Sequence, residues 1–358
     1  MPRMKYLSYT LESILFWTLA FVFYIFIKFN GIDNLELEVN NHITFKKLLL
    51  HAIYIGVFLG LFFALIEIVF QKTVLNRLVL WLQLLIKSSA YFVILVVLLT
   101  MARMLILNDG NVPFSCERWW WFQNKFFRTS IVYFLFALIV FLMIQMANGK
   151  FGKGIFMKML LGIYKKPQQV ERIFMFLDLK SSTTIAENLG NYKYSQFIQD
   201  AFIELNEVVA KHSATIYQYV GDEAVLEWSM KNGLYNNNCV EVFFKFKEQL
   251  TSKKDYFQEK YGFHPEFKAS LHGGKVIFAE IGTIKKELAY HGDVINTTAR
   301  IQSLCNQYQQ QLLVSETIWN LIHSKNRYDS QVYRNAFLKG KDETLTLFGV
   351  QKVADLVS

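Results

Sequence analysis

Proline and cysteine are scarce in this chain. Four prolines in 358 residues leave no room for a long Pro-rich disordered linker. The three cysteines, Cys116, Cys239 and Cys305, are scattered. None stands at zinc-site spacing, and an odd number gives no disulfide framework. A reducing compartment suits the C-terminal half. Acidic residues are also outnumbered, 29 Asp and Glu against 38 Lys and Arg, for a formal charge of +9. Such a balance fits nucleic acid, anionic lipid or a phosphate-bearing substrate. The lysines Lys150, Lys153, Lys158, Lys165 and Lys166 follow an apolar segment. That placement points to anionic cytoplasmic lipid and not to nucleic acid; a solvated helix face is the plainer alternative.

What the chain has in excess is apolar surface: 53% hydrophobic residues, 33 Phe and a mean hydropathy of +0.22. A helix needs about 20 mostly apolar residues to cross the hydrocarbon core. Four segments meet or approach this, at about 13–29, 48–70, 88–107 and 129–147, inside a membrane domain expected over 1–148. No small-residue cleavage site follows the first, so it reads as a retained span. Residues 74–86 are apolar with charges interspersed, an interfacial helix or an extension of the third span. Trp119, Trp120 and Trp121 fit an aromatic belt, and Arg103 sits where it can snorkel. Gly56 and Gly60 form one G-x-x-x-G, which a chance match or packing within the chain explains. His51 and Glu67 lie near span ends, where snorkelling accounts for them.

Orientation follows from the loop charges. Arg3 and Lys5 precede the first span, Lys72, Arg77 and Lys87 follow the second, and the lysine run follows the fourth. Asp33, Glu36 and Glu38 mark the loop after the first, although Lys46 and Lys47 dilute them. Arg118, Lys125 and Arg128 weaken the contrast on the other outer loop. Both termini are expected inside, with a multi-pass protein of the cell membrane and a cytoplasmic C-terminal half. Residues 149–170 read as a juxtamembrane linker whose Ile155, Phe156, Met159, Leu160 and Ile163 alternate with lysines. It is expected to couple the spans to the cytosolic half.

The pattern changes near residue 171. Ile173–Leu179 is a short apolar run with one acid in it, the pattern of a buried strand. A carboxylate there is costly unless paired or bound to a cation, so Asp178 is a candidate metal ligand; a helix N-cap is the alternative. Lys180, Ser181, Ser182 and Thr183 lead into a helix and can turn backbone N–H groups toward phosphate. That helix carries Phe197, Ala201, Leu205 and Val208 at core spacing. Two β-rich runs then flank Gly221-Asp222, a hairpin signal. Asp222 either simply suits the turn or joins Asp178 as an oxygen donor for Mg²⁺ or Mn²⁺. Two such ions suit attack of an alcohol on phosphorus.

Three blocks in order, FLDLKSSTTIAE, YVGDEAVLEW and HGDVINTTARIQ, with FKASLHGGKV between the second and third, resemble the catalytic domain of class III adenylyl and guanylyl cyclases. The resemblance covers about 171–353. It implies an α+β ferredoxin-like, palm-type domain behind an all-α membrane domain of about four helices. It implies conversion of ATP to cyclic AMP and pyrophosphate in a homodimer, with two Mg²⁺ or Mn²⁺ per site. Asp178 and Asp222 match the metal aspartates, and Leu179, Lys180, Ser181, Ser182 and Thr183 the triphosphate-wrapping segment. Asn296 and Arg300 match the pair that orients ribose and stabilises the pentavalent phosphorus. Lys268 matches the lysine that reads adenine, and Lys339 or Lys341 a basic residue on the terminal phosphates. One subunit is expected to supply the aspartates and the other Lys268, Asn296, Arg300 and the C-terminal lysine.

The chain departs from the pattern at Ala289, where the family more often has Asp or Thr beside the adenine-reading lysine. Tyr290, His291 and Asp293 are the nearby polar substitutes. A guanylyl or dual-specificity cyclase is therefore a rival, as is a membrane receptor with an inactive nucleotide-binding domain. The retention of both aspartates, Asn296 and Arg300 counts against a dead domain. A diguanylate cyclase would carry two glycines before the hairpin aspartate, where this chain has Val220-Gly221.

Overall fold

The computed structural model describes residues 2–31, 45–73, 78–109, 125–151, 155–284, 286–341 and 344–353. Asp33, Glu36, Glu38, Arg77, Cys116, Arg118, Trp119, Trp120, Trp121 and Lys153 lie outside them. So do the side chains of Arg3, Lys5, Lys72, Arg103, Lys125 and Lys150. The chain divides into two units near residue 156.

Among the described residues, the N-terminal unit has four long helices, α1 (Pro2–Gly31), α2 (Phe45–Lys72), α3 (Leu80–Asp109) and α4 (Lys125–Phe151). Each is long and apolar enough to cross a membrane. Residues from Leu80 onward belong to α3, so most of the apolar stretch before the third span extends it. Leu7, Leu11, Leu15, Leu19, Phe23 and Phe26 form an exposed stripe along α1. Large side chains repeated at helical spacing on an outer face suit hydrocarbon, not water. Inside, Trp17 meets Phe63 edge-on at 4.7 Å and Phe63 stacks on Tyr91 at 4.0 Å.

Gly56 and Gly60 are where α1 and α2 touch. A Cβ on Gly56 would lie 2.5 Å from Thr18 Cα, and one on Gly60 2.5 Å from Ile14 Cα. The G-x-x-x-G thus serves packing within the chain. Gly60→Leu is expected to force the pair apart and destabilise the unit by about 1–3 kcal/mol. Thermal unfolding in detergent measures it, with Gly149→Leu, where a Cβ meets nothing within 4 Å, as the neutral control. Glu67 does not snorkel: it pairs with Lys87 of α3 at 2.8 Å, with both side chains under one-fifth exposed. His51 Nδ1 lies 2.7 Å from the Lys47 carbonyl.

The C-terminal unit follows a short helix, α5 (Ile155–Leu160), and a turn. Its elements run β1 (Gln168–Leu179), α6 (Ser182–Val209), β2 (Thr215–Val220), β3 (Glu223–Ser229), α7 (Met230–Leu234), α8 (Asn238–Ser252) and α9 (Lys254–Tyr261). Then come β4 (Phe267–Ile281), β5 (Glu287–His291), α10 (Asp293–Gln307), β6 (Leu312–Ser315), α11 (Glu316–Trp319), β7 (Tyr328–Ala336) and β8 (Leu345–Lys352). One mixed sheet has the order β2-β3-β1-β4-β6-β8-β7, with β5 on the far part of β4. Among the described strands only β4 and β6 pair in parallel.

The run Ile173–Leu177 is buried throughout, which explains its unbroken apolar sequence. Ile173, Met175, Leu177 and Leu179 share a core with Phe197, Ala201, Leu205 and Val208 of α6 and with Val242, Phe243 and Phe246 of α8. Phe174 meets Tyr290 at 5.2 Å and Tyr217 at 6.5 Å. Tyr290 lies 4.4 Å from Phe278, whose other neighbour at 5.0 Å is Tyr164, just before β1. The segment entering the domain is thereby pinned to the sheet.

His272 sits inside β4, buried, with Nδ1 2.8 Å from Ser315 Oγ. Burial above all, and Lys341 secondarily, lowers its pKa to about 4. The unfolded chain therefore takes up a proton between pH 6.5 and 4 that the folded domain refuses. Stability is complete above pH 6.5 and falls by roughly 3 kcal/mol as pH drops to 4. Denaturant titrations across that range check this, and His272→Gln is expected to flatten the slope.

Candidate active site

Register assembles the corner that holds both aspartates. Asp178, near the end of β1, is directly opposite Glu223 of β3 and directly opposite Lys268 of β4. The β2–β3 hairpin closes Val220 on Glu223, leaving Gly221 and Asp222 as its two-residue loop. Gly221 has φ +61°, the freedom that glycine supplies at the first loop position. The aspartates are 44 positions apart in sequence, and α6 and β2 span the interval, returning the chain to the strand beside β1's neighbour.

The field of this corner is negative. Burial, then the charges of Asp178 and Asp222, push the Glu223 carboxyl up to about 7, while Lys268 opposes the rise. Tyr194 of α6 faces the same place. Burial, and after it the charge of Asp222, raise its phenol to about 12. Neither Glu223 nor Tyr194 was marked in the sequence. Glu223 adjoins Asp222, and the strand alternation could have placed it opposite Asp178. Tyr194 is one of 18 tyrosines with no distinguishing spacing, and α6 carries a kink at Gly190 (φ 70°, ψ 161°) before it.

Among the described residues no group of three or more His, Cys, Asp or Glu converges as a metal cage. That fits an ion held by two carboxylates and completed by substrate phosphates, the usual arrangement for Mg²⁺. The all-oxygen donors and the negative field suit a hard divalent cation.

Beyond Asp178 the chain turns into α6. Ser181, in the left-handed region at φ 53°, is the N-cap, and no side chain caps the helix. The first amides of Ser182, Thr183 and Thr184 are the donors that a helix start leaves over. Leu179 is buried in the core, so only its backbone is available. Lys180 is held by Glu266: its amide donates to the Glu266 carbonyl at 2.8 Å and its Nζ lies 3.2 Å from Oε2.

A second group gathers around α10. Asn296 is exposed and Arg300 half-buried on this helix, one turn apart. Arg300 Nη1 donates to the Gly340 carbonyl at 3.2 Å. Lys341 pairs with Asp293 in the first turn of α10, whereas Lys339 is exposed. Helix rise of ~1.5 Å per residue puts Asn296 ~15 Å along the axis from Asn306, which accepts from Lys268 Nζ at 3.3 Å.

Lys268 lies in the aspartate corner of its own chain. Its ammonium is 3.0 Å from Asp178 Oδ2, with 12% of the side chain exposed. The substitutes considered for Ala289 divide. Ala289 is opposite Ala279. Tyr290 is buried, its hydroxyl accepting from Arg172 Nε at 3.2 Å. Asp293 is taken by Lys341 and Thr297. His291 is exposed.

A mixed sheet covered by helices, with an aspartate ending its central strand and another at the adjoining hairpin tip, defines the class III nucleotidyl cyclase fold. Residues 165–350, just over half of the chain, match the adenylate and guanylate cyclase catalytic domain, and the chain belongs to that family. It is 37% identical over 164 residues to adenylate cyclase 2 of Rhizobium meliloti, covering 46% of this chain and 45% of that protein. It is 25% identical over 190 residues to adenylate cyclase 1 of the same organism, covering 51% and 28%. The chain spans less than half the length of these curated relatives. Among solved structures, a bacterial light-regulated adenylyl cyclase shares the fold at TM-score 0.51 and 15% identity, over 62% of this chain and 64% of that one.

Proposed function

We propose that the protein is a membrane-anchored adenylate cyclase that converts ATP to cyclic AMP and pyrophosphate in a homodimer. The observation that carries the reading is the corner of β1 and the β2–β3 hairpin, where Asp178 and Asp222 stand in one negative field. ATP as substrate is supported by the adenylate cyclase relatives.

Asp178 and Asp222 would hold Mg²⁺ or Mn²⁺, two per site. When bound, such ions supply charge neutralisation at the phosphates and favour ionisation of the 3′-hydroxyl. The amides of Ser182 and Thr183, with Ser181 and Lys180 beside them, receive the triphosphate at the start of α6. Asn296 orients the ribose so that the 3′-oxygen faces the α-phosphorus in line. Arg300 offers guanidinium N–H groups to the charge that grows on the α-phosphate as pyrophosphate departs. Lys339 meets the terminal phosphates.

A site shared between two chains is the arrangement that membership of the cyclase catalytic-domain family implies. One copy contributes Asp178, Asp222 and the α6 amides; the other contributes Asn296, Arg300 and Lys339. A two-fold axis then makes two equivalent sites. The four apolar helices support a multi-pass membrane protein, oriented by its loop lysines with the N-terminus and catalytic half in the cytoplasm.

Turnover of the full chain in lipid nanodiscs on Mn-ATP and Mn-GTP tests the reading. Cyclic AMP and pyrophosphate from ATP, in clear excess over any cyclic GMP, are expected. Preferential cyclic GMP formation, or nucleotide binding without turnover, would favour the rivals.

A further inference from the structure

At the corner where β3, β1 and β4 meet the nucleotide segment, Glu223, Asp178 and Lys268 form one cross-strand row. Directly opposed residues present side chains on the same face, and Asp222 adjoins the row from the hairpin. Three carboxylates therefore share this corner with the Lys268 ammonium. Lys180, the neighbouring cation, is taken by Glu266.

The Lys268 side chain is held, not loose. Nζ lies 3.0 Å from Asp178 Oδ2 and donates to Asn306 Oδ1 at 3.3 Å. Its backbone carbonyl accepts from Gln302 Nε2 at 3.0 Å. Both Gln302 and Asn306 belong to α10. A carboxylate oxygen engaged by an ammonium cannot give the same lone pair to a divalent ion. Ion and ammonium must compete, and an ammonium on a four-carbon stem can turn toward a second acceptor already in place.

We propose that Lys268 is a built-in counter-ion: it occupies Asp178 in the metal-free chain and yields to the incoming divalent cation by moving onto Asn306. Lys268 is then a positioning residue that sets the affinity and selectivity threshold for the ion. It keeps the carboxylate row from being left uncompensated before substrate arrives. This rests on the reading of Asp178 and Asp222 as metal ligands.

The test is Mn²⁺ binding to the full chain in nanodiscs without nucleotide, with free Mn²⁺ followed by electron paramagnetic resonance. Lys268→Met is expected to bind Mn²⁺ about tenfold more tightly, because the competing charge is gone. Asn306→Leu removes the alternative acceptor and is expected to weaken binding by roughly threefold. The ratio of ATP to GTP turnover should stay at the wild-type value in Lys268→Met. Unchanged or weaker Mn²⁺ binding by Lys268→Met overturns the proposal, as does an altered nucleotide ratio with unchanged Mn²⁺ binding. If Lys268→Met fails to fold, Asn306→Leu decides, and unchanged or tighter binding there overturns it. Asp178→Asn separates the two levels. Undiminished Mn²⁺ binding in that variant rejects the metal reading itself. Diminished binding there, with no gain in Lys268→Met, rejects the counter-ion alone.

Discussion

Asp178→Asn and Asp222→Asn each lower turnover by on the order of 10³-fold or more while leaving the catalytic unit folded. Asparagine keeps the shape of aspartate and removes the charge. At Asp178 the backbone ladder to Glu223 and Lys268 is untouched, and relief of one carboxylate from a crowded row offsets part of the lost Lys268 pair. At Asp222 the substitution follows Gly221 in a two-residue loop, where asparagine is well tolerated. The loss should therefore appear in kcat, with thermal unfolding close to the parent. Steady-state rates on Mn-ATP beside unfolding curves measure both. Activity within fivefold of wild type in either variant would remove that aspartate from the metal site.

Arg300→Ala is the second large effect, a fall of about 10²–10³-fold in kcat with little change in KM. The guanidinium spends one N–H on the Gly340 carbonyl, and the fork keeps further donors for an oxyanion. A group that acts on charge developing in the transition state lowers kcat and kcat/KM together when removed. Arg300→Lys should recover little, since a point charge cannot both hold Gly340 and bracket the phosphate. A rise in KM alone would make Arg300 a ground-state binder. Loss of the Gly340 contact is a modest structural cost, because the loop stays tied by Lys341 to Asp293.

Much of the architecture was legible because its signals are local. Four apolar stretches imply four helices, and IFMFLDL implies a strand buried on both faces. The Gly221-Asp222 pair fixes a hairpin, and helical spacing marks Phe197, Ala201, Leu205 and Val208 as core. What stayed hidden depends on register. Nothing in FKASLHGG says that Lys268 will lie opposite Asp178, since that requires the pairing of two strands some 90 residues apart. The position of Glu67 near a span end does not reveal its partner, because Lys87 belongs to the next helix. Gly56 and Gly60 were ambiguous until the Cα atoms of Thr18 and Ile14 were placed against them. Tyr194 feels the charge of Asp222 from a helix kinked at Gly190, which no periodicity announces.

A mixing experiment bears most directly on the claim of a catalytic site divided between two copies. Asp178→Asn and Arg300→Ala are co-expressed with different tags, and the mixed dimer is compared with each variant alone. In a mixed dimer one site loses both residues and the other keeps both. Random assembly then restores about a quarter of wild-type cyclic AMP formation from two nearly inactive parents. Isolated mixed dimers should reach about half. Activity no higher than that of the parents would contradict a shared site and place all the catalytic groups within one chain.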